Sequence, residues 1–130
     1  MDAHIVESTL KLSLAEQITF PEVVMRLAQS GTERYLVDIP GQRHLAWGTD
    51  GSSHVGAYDY DAGDIPLTFD AAAVKSAITD IQHGRIKYLT FMDLIVRAGC
   101  CHYWVFISGR QAIYFGRDGS QHIEHFPSAS

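Results

Sequence analysis

Histidine and glutamate side chains gather near the C-terminus in a pattern that could hold a metal ion or move a proton. The segment His122-Ile-Glu-His125 puts two imidazoles beside a carboxylate, and His102 lies earlier in the same region. Imidazole and carboxylate groups bind zinc or act as general acids and bases in small hydrolases. Side chains alternate along a strand, so His122 and Glu124 share one face while His125 points to the other. This alternation disfavours a simple His-x-x-His chelate, and we predict no metal or other cofactor.

The two cysteines, Cys100 and Cys101, are adjacent in the chain. Either could be a nucleophile, with His102 or His122 as the base that takes its proton. Free cysteine is more often a small buried apolar residue, and strand alternation predicts that one thiol is buried while the other points elsewhere. Because a disulfide framework needs separated pairs, we predict two reduced thiols and a cytoplasmic protein.

A third candidate pair is His54 and His122, because each follows the same Gly-x-Asp-Gly-Ser-x sequence. One interpretation is a shared ligand or metal, held where two halves of the chain meet. The other, which we favour, is that each histidine bonds a nearby group of its own half. Arg110 and Arg117 follow turn glycines and could present guanidinium groups to an anion. The candidate ligand-binding residues are therefore His54, His122 and Arg117.

These candidates lie in a stretch that the chain contains twice. Gly31–Val55 aligns with Gly99–Ile123 at an offset of 68 without a gap, and ten of the 25 aligned positions are identical. Chance would give about one or two identities, so we infer an internal duplication. The helical segments before each copy align at an offset of 71, which predicts Thr19 and Thr90 as equivalent N-caps.

Each copy has the composition of a three-stranded meander preceded by two helices. Aromatic and β-branched runs alternate with Pro-Gly or Asp-Gly turns, and apolar stripes at helical spacing come before them. The predicted fold class is α+β, an internal duplication of two ααβββ halves with helices packed on an antiparallel sheet. We predict one domain over 1–130, with a first repeat (1–58), a linker (59–68) and a second repeat (69–127). The predicted helices cover Ala3–Leu14, Thr19–Ser30, Asp70–His83 and Thr90–Ala98.

Length and composition exclude several classes of protein. The 130 residues are 46% apolar and 19% charged, with a net charge of −5, which is ordinary for one globular domain. No cluster of lysine and arginine appears, so we predict no nucleic-acid partner. No apolar run reaches the length of a membrane span, so we predict no membrane association.

Several short motifs also carry a resemblance to a known family. The chain resembles the YdfO/YbcV-like proteins, a bacterial and prophage-carried family of unknown function that is sometimes labelled "phage envelope protein". The residues that carry the resemblance are Thr19-Phe-Pro-Glu22, Tyr35-x-Val-Asp38, Ala98-Gly-Cys100, Tyr103, Ser108-Gly-Arg110, Tyr114-Phe-Gly-Arg117, Gly119, His122 and Glu124-x-Phe-Pro127. The resemblance implies a compact α+β domain and implies no activity, catalytic residue or cofactor.

Three functions are compatible with these observations. The first is a small non-catalytic binding or regulatory protein that holds a protein partner or small ligand, with a homodimer as one arrangement. Its contact surface would use exposed aromatic residues such as Trp47, Tyr58 or Tyr60. The second is a small hydrolase or metal-dependent enzyme, for which the candidate catalytic residues are His122, Glu124, His102 and Cys100. The third is a structural component of a phage.

Overall fold

The chain folds into two layers, with helices packed on one face of a six-stranded antiparallel sheet. The structure, a computed structural model, describes residues 1–127, so the last three residues of the predicted domain lie outside it. The fold class is α+β, as predicted. Within residues 1–127 no helix combines the length and apolarity needed to cross a membrane. The elements are α1 (Ala3–Leu14), α2 (Phe20–Gln29), β1 (Thr32–Asp38), β2 (Arg43–Gly48), β3 (Ser53–Ala57), α3 (Ala71–Gln82), α4 (Tyr88–Arg97), β4 (Cys100–Phe106), β5 (Gln111–Gly116) and β6 (Gln121–His125).

The two halves of the chain have the same order of elements and join side by side in one sheet. Every helix and strand of the first half has a counterpart whose bounds lie 68 residues later. The strand order is β3-β2-β1-β4-β5-β6, so β1 and β4 pair in the middle and β3 and β6 form the two edges. A common origin of the halves stays a prediction, because a shared order of elements does not by itself establish one.

Side-chain caps explain where three of the helices begin. The carboxylate of Asp2 accepts backbone N–H bonds from α1, and that of Asp70 accepts one from α3. Thr19 starts α2 with a reciprocal capping box that includes Glu22, as the sequence pattern predicts. The predicted cap at Thr90 is wrong.

Helix α4 begins earlier than predicted, at Tyr88, with Lys87 at the N-cap position and no side-chain cap. Thr90 is exposed inside its first turn. The structural counterpart of Thr19 is therefore Lys87, at the offset of 68 that relates every other element. The alignment at 71 matched a similar Thr-Phe pair one turn too late, because a shift of nearly one helical turn preserves the apolar stripe.

The hydrophobic core lies between the helices and one face of the sheet. Buried strand residues such as Val37 and Val105 pack there against buried helix residues such as Leu27 and Ile95. Tyr58 also lies in this core with 1% of its surface exposed, so its predicted place on a contact surface is wrong. Its hydroxyl lies 2.5 Å from the Tyr88 hydroxyl, and hydrogen bonding of this kind satisfies a buried phenol.

Irregularities in β1 and β4 change the predicted placement of the cysteines. The pairing of β4 with β5 shifts by one residue between Cys100 and His102, and the pairing of β1 with β2 shifts at the equivalent place. Such a bulge interrupts strict alternation. Both Cys100 and Cys101 are buried, at 0% and 5% exposed, so the prediction that only one thiol is buried is wrong. Both are free cysteines, as expected.

Candidate functional site

The residues of the predicted hydrolase cluster do not come together. His122 pairs across β5 with Tyr114 and Tyr103, which face the core, whereas His102 pairs with Phe115 on the opposite face. Because directly paired residues share a face, His102 and His122 lie on opposite sides of the sheet. Between them runs strand β5, so a single active site cannot use both imidazoles.

The buried thiol of Cys100 is also unsuited to nucleophilic attack. Its side chain lies in the core, where burial and the neighbouring Cys101 raise the pKa of the thiol to about 12. The thiolate is the nucleophilic form of cysteine, and a thiol with so high a pKa remains protonated at neutral pH. Cys100 is therefore a packing residue.

Cys101 begins a short polar chain in which His102, one of the two bases considered for it, is followed by Asp38, which sequence reasoning did not anticipate. Its Sγ lies 3.1 Å from Nδ1 of His102, and Nε2 of His102 lies 3.2 Å from Oδ1 of Asp38. The order thiol, imidazole and carboxylate is the order that cysteine hydrolases use. Burial nevertheless raises the pKa of the Cys101 thiol, and the side chain is almost closed to solvent. The Cys101 thiol is therefore not activated as a nucleophile. The Asp38 carboxylate also accepts hydrogen bonds from the Gly41 N–H and from Arg43.

His54 and His122 lie at the two opposite edges of the sheet, because β3 and β6 are its outermost strands. Five strand spacings separate them, which is about 24 Å. That distance excludes a shared ligand, so each histidine must be considered with its own neighbours.

At the first edge a helix carboxylate meets two histidines. Oε1 of Glu7 lies 2.6 Å from Nε2 of His54 and 3.3 Å from Nε2 of His44. Burial opposes ionisation of Glu7, but the His54 hydrogen bond and the charges of both histidines outweigh it and lower the pKa of the carboxyl. His44 is fully buried, and among residues 1–127 neither of its ring nitrogens has a hydrogen-bond partner. Its burial lowers the pKa of the imidazole. Gly56 leaves room for this group, because a Cβ there would overlap Glu7 and His44.

At the second edge the helix carries a positive charge and the strand carries the carboxylate. Position 75 on α3 corresponds to position 7 on α1 and carries Lys75, while Glu124 takes the place of Gly56. Glu124 lies 3.0 Å from both Lys75 Nζ and His122 Nε2. Burial again opposes ionisation, and the bonds from His122 and Lys75 outweigh it and lower the pKa of Glu124. Each edge histidine is thus held by a carboxylate of its own half, in a brace that joins an outer strand to a helix.

Arg117 holds the linker between the halves. Its Nη1 donates a hydrogen bond of 3.0 Å to the backbone oxygen of Ile65. With Cys101 and His102 it lines an open cleft of about 540 Å³ at the end of the sheet.

The predicted aromatic contact residue Tyr60 also makes a contact within the chain, since its hydroxyl donates a hydrogen bond to Asp93 at 2.5 Å. Within residues 1–127 no three His, Cys, Asp or Glu side chains are arranged to bind a metal ion.

The most prominent unexplained surface is the face of the sheet that points away from the helices. Its central feature is a straight row of apolar residues, one from each strand, in direct register across all six. We call it the apolar row. Its members, in spatial order, are Val55, Leu45, Leu36, Trp104, Ile113 and Ile123.

The apolar row lies outside the hydrophobic core of the described residues, and its four central members are half-buried. Its end residues, Val55 and Ile123, are 58% and 46% exposed. Aromatic side chains extend the surface, because Trp47 stacks on Trp104 with ring centroids 5.2 Å apart. The guanidinium of Arg34 lies 4.8 Å above the Trp47 ring, as a cation–π pair does.

A signal for this surface was present in the sequence. The segment from Tyr103 to Ile107 is apolar at every position, and Tyr35–Val37 is as well. Continuous apolar runs indicate strands that are covered on both faces. The helices cover only one face here, and the other face carries the apolar row.

No protein-family model matches the chain, and no curated protein is significantly similar to it. The candidate functional surface is therefore the apolar row and its aromatic surroundings, on the geometry alone.

Proposed function

We propose that this chain is a small binding protein that holds a protein partner on the outer face of its sheet. The observation that carries the proposal is the apolar row, which crosses all six strands and is 58% and 46% exposed at its two ends. Contiguous apolar surface of this kind costs free energy in water and marks an interaction site in soluble proteins.

The composition of the outer face supports a protein partner in particular. Three residues from each strand point outward, and none of these eighteen is a lysine or glutamate. Protein interfaces are enriched in tryptophan, phenylalanine and arginine and depleted in lysine and glutamate. Trp47, Trp104, Phe106 and Arg34 supply the first group of residues.

The hydrolase alternative has less support, because His102 and His122 lie on opposite faces and the Cys100 thiol is buried. A cytoplasmic setting is part of the proposal and rests on the two free thiols. Membership of the YdfO/YbcV-like family is also a proposal. Two residues of the family motif make structural contacts in this chain. Gly116 lies under the Phe69 ring, and Arg117 donates a hydrogen bond to the linker.

Site-specific photo-cross-linking in the producing cell tests the proposal. A benzophenone amino acid at Ile113, on the apolar row, should give discrete protein adducts on illumination. The matched control carries it at Met25, which is 54% exposed on α2 and should give none. Adducts from both positions, or from neither, would contradict a binding role for this face.

A further inference from the structure

We infer that the occupant of the outer face is a second copy of this chain, packed sheet against sheet about a twofold axis that runs along the apolar row. This inference rests on the proposed function, since it names the partner of the same face. Three features of the face support it: its symmetry, its charges and its size.

The face is self-complementary under this symmetry. A twofold axis along the row places each row residue opposite its own counterpart, so Leu36 meets Leu36 and Trp104 meets Trp104. Such an isologous contact needs only one surface to match itself. The strands of the two sheets then run nearly antiparallel, which lies within the angular range of aligned sheet packing.

The charged side chains of the face also avoid like charges across the axis. Arg34 and Asp38 flank Leu36 at equal distances along β1, and Arg43 and Trp47 flank Leu45 in the same way on β2. The rotation therefore sets Arg34 of one copy opposite Asp38 of the other, whose carboxylate is 8% exposed and already bonded to Arg43 of its own chain, and Arg43 opposite the Trp47 ring. Each of these contacts forms twice in the dimer, and no like charges come to face each other at these four positions.

The size of the face is sufficient for a reversible dimer. Six strands span about 29 Å and five residues span about 17 Å, so each copy offers roughly 500 Å² in projection. The pair thus buries about 1,000 Å², which is the lower limit for a specific interface. We expect a dissociation constant in the micromolar range, which corresponds to a binding free energy of about −8 kcal/mol.

Sedimentation velocity of the purified protein from about 1 to about 200 µM tests the dimer, because this range brackets the expected constant. Wild type should change from monomer to dimer. Leu36→Lys puts a charge on the axis and should weaken association at least about tenfold, whereas the control Met25→Lys should not change it. Circular dichroism and melting curves must show that both variants are folded.

Cysteine cross-linking tests the axis. Leu45 lies on the row, so Leu45→Cys should join two copies through a short bis-maleimide, and Met25→Cys should not. A monomer at every concentration would overturn the inference, as would a dimer that Leu36→Lys leaves intact or one in which Leu45→Cys does not cross-link. If the purified protein is monomeric while Ile113 still captures a different protein in cells, the dimer is wrong and the binding role stands. If Ile113 captures nothing, the binding role fails too.

Discussion

Substitution of Gly56 by alanine should destabilise the first sheet edge strongly. The new Cβ would lie under 3.0 Å from both Glu7 Oε1 and His44 Nε2, so the carboxylate must leave its 2.6 Å contact with His54. Loss of that half-exposed, charge-assisted bond costs about 1 kcal/mol, and overpacking beside a buried ring adds about 1 to 2. We expect a total of about 2 to 3 kcal/mol, or a melting temperature lower by about 6 to 10 °C. The matched control is Gly109→Ala, whose nearest atom is 3.3 Å away and which should cost less than about 0.5 kcal/mol.

Urea unfolding and thermal melts measure both variants. The second edge supplies a sharper test, because Lys75, Ala112 and Glu124 occupy the positions equivalent to Glu7, His44 and Gly56. Gly56→Glu alone should lower the stability more than Gly56→Ala does. Adding Glu7→Lys and His44→Ala to Gly56→Glu should restore much of the lost stability. The explanation is refuted if Gly56→Ala is as stable as wild type, or if the triple variant is no better than Gly56→Glu.

Three further outcomes are expected. Burial lowers the folded-state pKa of His44 below 6.5. The unfolded chain therefore binds a proton at a higher pH than the folded chain does, and the free energy of unfolding falls as the pH drops from about 7. In melts at several pH values, His44→Leu should remove this part of the pH dependence of the melting temperature. A thiol reagent should find two free thiols, and both Cys100 and Cys101 should react slowly until urea unfolds the chain; fast reaction of either thiol in the native protein contradicts the burial seen here. Thr19→Ala should cost about 1 kcal/mol because it removes a cap, whereas Thr90→Ala, inside an exposed helical turn, should change stability little; equal losses would show that the helix start is misassigned.

Local features of the fold follow from the sequence because their causes act within a few residues. The Ala3–Leu14 and Asp70–His83 helices were predicted to within a residue, since Asp2 and Asp70 bond amides two or three positions away. The tight turns at Gly51 and Gly119 have positive φ values of 84° and 89°, which Asp-Gly sequences favour. Caps and turns of this kind need no information from the rest of the chain.

The features that prediction missed depend on distant partners. Tyr58 reads as an exposed aromatic beside a polar linker, but its hydroxyl partner Tyr88 belongs to the other half. The bulge at Cys101 is fixed by pairing between β4 and β5, and alternation alone cannot reveal it. The candidate site shows the same limit. Apolar residues such as Leu36 and Ile113 were visible in the sequence, but only the strand order places them in one row.

The central pairing of β1 with β4 also shapes how the chain folds. All other strand pairs join neighbours in sequence, and the helix pairs α1–α2 and α3–α4 do as well. Leu36 and Trp104, by contrast, pair across 68 positions, and closing a loop of that size costs about 4 kcal/mol of chain entropy. Each three-stranded meander can therefore form early from local contacts. The pairing of β1 with β4, which joins the two meanders, is the slow, late step of folding. Because the outer hairpins form before that step, destabilising changes in them should mainly retard folding.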